Sequence, residues 1–101
     1  MRTLPLAIPS TAIADFCRRH GIARLALFGS VLRDDFTPQS DVDFLVEFLP
    51  DRVPGLIRLV GMERELSALI GRKADGRTEG DLSKYFVDEV LREAAPIYVA
   101  V

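Results

Sequence analysis

The chain has one cysteine, Cys17, in 101 residues, so no internal disulfide can staple it. It also has no basic excess. Lys and Arg number 13 against 15 Asp and Glu, a net charge of −2. That balance argues against non-specific nucleic-acid binding, which needs a basic surface. No long apolar run opens the sequence. Met1 to Pro9 carries two prolines and reads as neither a signal peptide nor a membrane span. No membrane association is expected, and a cytoplasmic protein is the default. Hydrophobic residues, at 49%, are enough for a globular core rather than disorder. The length fits one domain, 1–101.

Periodicity then divides the chain. A first helix starts after Pro9, with Ser10 or Thr11 placed to cap it, Ile13, Phe16 and Cys17 on its apolar face, and Gly21 as its stop. Arg18, Arg19 and His20 complement its C-terminal end. Cys17 reads as a packed residue rather than a reactive one. Ile22 to Phe28 is a short apolar run between glycines, a buried strand. Gly29-Ser30 breaks it, and Val31 to Asp35 reads as a short helix. After the turn Thr37-Pro38-Gln39-Ser40, a second strand runs from Asp41 to Leu49. Leu56, Leu59, Val60, Leu66, Leu69 and Ile70 recur at helical spacing up to Gly71. Arg72 to Thr78 stands where a third strand belongs, although Ala74 and Gly76 are poor strand formers. A last helix spans about Asp81 to Ala94, with Phe86, Val90, Leu91 and Ala94 inward. The tail Ile97 to Val101 suits an edge strand. The expected fold class is α/β (α+β), a small mixed sheet flanked by helices.

Two features carry chemistry. Asp41 and Asp43 are separated by one residue on a strand, so their carboxylates share a face. Adjacent anions repel unless something neutralises them, and Mg²⁺ does so with carboxylate and phosphate oxygens. Phe44-Leu45-Val46 continues as strand, which excludes a calcium-binding EF-hand loop. Gly29-Ser30, between a strand and a short helix, has the form of a phosphate-binding turn, since glycine lets backbone N–H groups approach an anion. No Walker-type or Gly-x-Gly-x-x-Gly run is present. Asp75 is the best third acid. On the residues alone, Ala74-Asp75-Gly76 reads equally as a turn, which Asp-Gly favours.

Gly29-Ser30, ten intervening residues and Asp41-Val42-Asp43 together resemble the signature of the DNA polymerase β-like nucleotidyltransferase superfamily. Leu27 to Phe36, followed by Ser40 to Val46, is similar to the minimal nucleotidyltransferases of prokaryotes, and the resemblance extends to Gly71–Asp75 and the last helix. It implies the palm-like nucleotidyltransferase fold. It also implies that Gly29 and Ser30 hold ATP phosphates, that Asp41 and Asp43 bind Mg²⁺ and that Asp75 is the third catalytic acid and metal ligand. Arg33 matches a basic residue after the turn that contacts phosphate; read alone, it is as readily a solvated helix residue. Family members act as antitoxins beside a HEPN-type toxin and transfer AMP from ATP to a tyrosine of it, which implies a hetero-oligomer. A binding-only antitoxin, or transfer to a small molecule or RNA end, are the alternatives. Ala74 and Gly76 stand where the family has bulkier apolar residues, and a strand glycine costs about 1 kcal/mol.

Overall fold

The structure is a computed structural model, and it describes residues 8–32, 37, 39–78 and 87–100. In chain order these form α1 (Ser10–His20), β1 (Ile22–Phe28), a 3₁₀ turn (Gly29–Leu32), β2 (Val42–Phe48), α2 (Leu56–Ile70), β3 (Ala74–Arg77), α3 (Val87–Glu93) and β4 (Ala95–Val99). The four strands make one mixed sheet in the order β3-β2-β1-β4. β1 pairs antiparallel with β2 and with β4, whereas β3 lies parallel to β2. The parallel pair needs a crossover, and α2 supplies it.

The main core lies on one face of the sheet, and Ala26 and Leu45, paired across β1 and β2, are buried on the other. Ile13, Phe16 and Cys17 of α1 and Met62 and Leu66 of α2 pack against Leu25, Leu27, Val42, Phe44 and Val46. Cys17 is fully buried, and burial pushes its thiol up to about 12. It is therefore an unreactive packing residue, as expected. Alternation along β2 turns Asp43 away from that core, because Val42 and Phe44 point into it.

Several expectations change. No side chain caps α1; the helix begins at Ser10 with Pro9 at the cap position, and Pro9 O accepts the Ile13 N–H. The short helix after Gly29-Ser30 is a 3₁₀ turn over Gly29–Leu32, and residues 33–36 lie outside the described residues. Leu56 and Val60 of the predicted apolar stripe are exposed, and Met62 takes the buried place. The inward face of α2 is thus confined to its middle and C-terminal half. Of the last predicted helix, Val87–Glu93 is described, and Asp81 to Phe86 lie outside the described residues. The tail pairs with β1 as the edge strand β4.

α1 ends at Gly21, whose φ of 68° is left-handed. A Cβ there would meet the Arg52 Cβ at 2.6 Å, so Arg52 closes over the turn and donates to Arg19 O at 3.1 Å. α1 and α2 are also joined at Glu65, which accepts from Arg19 and lies 3.0 Å from His20 Nε2. The Arg19 guanidinium, and next His20, hold the Glu65 carboxyl below its ordinary value. A depressed carboxyl stabilises the fold above its unfolded pKa, and that contribution is lost as pH falls through the folded value. Glu65→Gln is therefore expected to unfold at a lower urea midpoint than the wild type at neutral pH. The two midpoints should converge in acid, as followed by circular dichroism.

Candidate active site

The end of β1 and the start of β2 are neighbours, so the Gly29 turn and the Asp-x-Asp segment meet at one end of the sheet. Phe28 pairs with Asp43, and Gly29 follows immediately. Gly29 adopts φ 78°, a conformation open to glycine and strained for other residues. A Cβ at Gly29 would collide with Asp43 Oδ2 and lie 3.2 Å from its Cγ. Glycine is thus required twice: by the backbone angle and by the carboxylate seated against it. The backbone of Ser30 belongs to the same 3₁₀ turn. Arg33 lies outside the described residues.

β3 brings the third acid. Its parallel register sets Asp75 beside Asp43 and Ala74 beside Val42. Directly paired residues of adjacent strands project to the same face, so Asp43 and Asp75 share the face opposite the core. Asp41, two residues before Asp43, belongs to that side as well. The weak strand composition of Ala74-Asp75-Gly76 is offset from α2. Ser67 Oγ accepts the Ala74 N–H at 2.8 Å, and Glu63 Oε2 accepts the Gly76 N–H at 2.7 Å. These bonds satisfy the backbone donors of an edge strand that β2 does not reach.

Asp41 and Asp75 each face a cation. Lys73 Nζ lies 3.7 Å from Asp41 Oδ2, and Arg77 Nη2 lies 3.3 Å from Asp75 Oδ2. Both pairs are partly exposed, and such pairs are weak enough to exchange partners. A cleft of about 420 Å³ runs between α2 and this sheet edge, with Asp41, Asp75, Lys73 and Glu63 in its lining.

Arg72 holds the approach to Asp41. Its Nη2 donates to Thr37 O at 2.7 Å and to Ser40 O at 2.8 Å, which fixes the turn before β2. A residue that sets the backbone leading into an acidic site can alter its chemistry without touching the acids. Arg72→Ala is accordingly expected to slow a reaction carried at Asp41 by up to roughly 10²-fold while the fold persists. Steady-state kinetics beside a thermal melt check this, and an unchanged rate would remove Arg72 from the site.

Sequence reasoning missed Arg72, Ser67, Glu63, Lys73 and Arg77. Their roles arise from contacts across 2 to 35 positions, and the resemblance over Gly71–Asp75, which includes Arg72 and Lys73, implied no role for them. Ser67, polar beside the apolar Leu66 and Leu69, was the one local hint.

Comparison with known proteins agrees with this geometry. Residues 10–97 match the family model described as a nucleotidyltransferase domain. The protein adenylyltransferase MntA of Thermococcus cleftensis is 35% identical over 81 residues, spanning 80% of this chain and 78% of the relative. A solved structure described as a candidate minimal nucleotidyltransferase is 36% identical, with a TM-score of 0.71 over 86% of this chain and 87% of that one. A toxin-antitoxin structure with AMP-PNP is 16% identical and shares the fold, with a TM-score of 0.72 over 92% of this chain and 75% of that one. With the glycine turn seated on Asp43 and Asp75 alongside, the chain belongs to the nucleotidyltransferase domain family, among its minimal, MntA-like members.

Proposed function

We propose that this chain transfers AMP from ATP to a tyrosine of a HEPN-type partner protein and so acts as that toxin's antitoxin. The observation that carries the reading is the contact of Gly29 with the Asp43 carboxylate, beside Asp75 in register. It sets a turn suited to phosphate against acids suited to a metal, the two parts a nucleotidyl transfer needs. The likeness to the Thermococcus protein adenylyltransferase supports a protein acceptor.

In the transfer, the tyrosine oxygen attacks the α-phosphorus of ATP, the bond to the β-phosphate oxygen breaks, and pyrophosphate leaves. Gly29 and Ser30 hold the phosphates through the turn's backbone and hydroxyl, and Arg33 adds positive charge after it. Asp75 takes the tyrosine proton. Asp41, Asp43 and Asp75 are the residues that would hold Mg²⁺. Their chemistry fits, since Mg²⁺ takes one or two carboxylates together with substrate phosphates rather than a closed protein cage. Among the described residues, no three acidic, His or Cys side chains are gathered to hold a metal by themselves, so substrate phosphates would have to complete the site. Bound Mg²⁺ supplies neutralisation of the charge that develops on the phosphoryl oxygens. Lys73 and Arg77, held by exposed ion pairs, are placed to turn from the carboxylates to the triphosphate.

The test incubates the chain with ATP, Mg²⁺ and the purified HEPN-type protein encoded beside it, followed by mass spectrometry of the partner. The expected product is a tyrosine carrying one AMP. An unmodified partner, with both proteins folded, would sink the reading. Binding-only neutralisation drew its appeal from the weak Ala74-Asp75-Gly76 segment. That segment is a paired strand anchored from α2, which leaves catalysis better supported.

A further inference from the structure

The first half of α2 shows an apolar surface. Leu56 is 77% exposed, Ile57 90% and Val60 47%, and Val53 just before the helix is 73% exposed. Met62 and Leu66 face the core. On the outer side, Ile57, Gly61, Arg64 and Ala68 follow one another at helical spacing, all exposed. Contiguous apolar surface of this kind marks an interaction site.

Gly61 is an independent sign. Glycine within a helix is less stable than alanine, so it needs a reason to be there. A Cβ at Gly61 would meet nothing within 4 Å, and no described residue uses the missing side chain. A small residue between Ile57 and Arg64 does let a second helix approach closely, since interaxial distance follows the side chains at the contact.

The charges indicate what approaches. Both acids of α2 are engaged within the chain, Glu63 by the Gly76 N–H and Glu65 by Arg19. Arg58 and Arg64 have no ion-pair partner among the described residues. The face is therefore apolar with a basic margin. A second copy docking by the same face would set like charges against each other. Val60 and Arg64 also line the acid cleft, so whatever covers this face ends beside Asp41 and Asp75.

We infer that the outward face of α2 docks an amphipathic helix of the acceptor protein, apolar along its contact and acidic at its edge, and so delivers the acceptor hydroxyl to the cleft. The inference rests on the protein-acceptor reading above. Its test uses the full chain and the purified HEPN-type protein, with the variants Ile57→Asp, Gly61→Leu and Arg58→Glu. Calorimetry measures partner affinity and ATP affinity separately, a thermal melt reports folding, and sedimentation reports self-association. Ile57→Asp and Gly61→Leu should each weaken partner binding by about tenfold or more. ATP affinity should hold, and Gly61→Leu should melt higher than the wild type. Arg58→Glu should weaken binding most at low salt. Wild-type affinity in all three variants, with AMP still transferred, overturns the docking surface and leaves the function intact. Loss of affinity in Ile57→Asp, when the wild-type chain binds the partner but transfers no AMP, keeps the surface and overturns the chemistry. Self-association abolished by Ile57→Asp assigns the face to a second copy and overturns the inference. A wild-type chain that does not bind the partner overturns the surface and the antitoxin reading together.

Discussion

In single-turnover assays, Asp43→Asn is expected to transfer AMP on the order of 10³-fold more slowly than the wild-type chain. Its melting temperature should stay close to that of the wild type. The substitution keeps the side-chain shape and most of its hydrogen-bonding capacity, and removes one anion from beside Asp75. Asp43 is only partly buried, and asparagine fills the same volume, so little packing is lost. Partner binding should also persist, because the exposed face of α2 lies on another element. A stable Asp43→Asn chain with wild-type rate would show that the carboxylate does not serve the reaction. Parallel loss of rate and of folding would instead make Asp43 a structural residue.

Gly29→Val should cost both stability and rate. A β-branched residue at φ 78° is strained, and the left-handed region alone costs about 1–2 kcal/mol for a residue with a Cβ. The new Cβ also occupies space held by the Asp43 carboxylate. That group must move, and a misplacement of about 1 Å in a reacting site can cost roughly 10²-fold in rate. Combination with Asp43→Asn separates the two effects. If Gly29 acts on the rate through Asp43, the double variant transfers AMP no more slowly than Asp43→Asn alone, although it melts lower. Additive losses in rate would mean that the turn acts on the nucleotide independently of Asp43.

Much of the site was legible because its signal is local. The strand Ile22–Phe28 lies between two glycines, and its observed bounds match the apolar run. Asp41 and Asp43 alternate with buried residues, so their common side followed from the period of a strand. The stripe of α2 was misjudged at its start for a related reason. Leu56 and Val60 have helical spacing, yet spacing does not say whether the chain itself supplies a cover for them.

Periodicity was enough to determine the α/β class, and the kind of chemistry expected followed from the resemblance carried by Gly29-Ser30 and Asp41-Val42-Asp43, because each signal lies within a short stretch of chain. The tertiary structure decided the rest. The pressing of Gly29 on Asp43, the register of Asp75 beside it and the anchoring of β3 by Ser67 and Glu63 all join segments distant in the chain. Asp75 shows the difference most clearly. Its flanking residues have weak strand propensity, and strand propensity mainly reflects what a residue packs and pairs with. Those partners, β2 on one side and α2 on the other, exist only once the chain has folded.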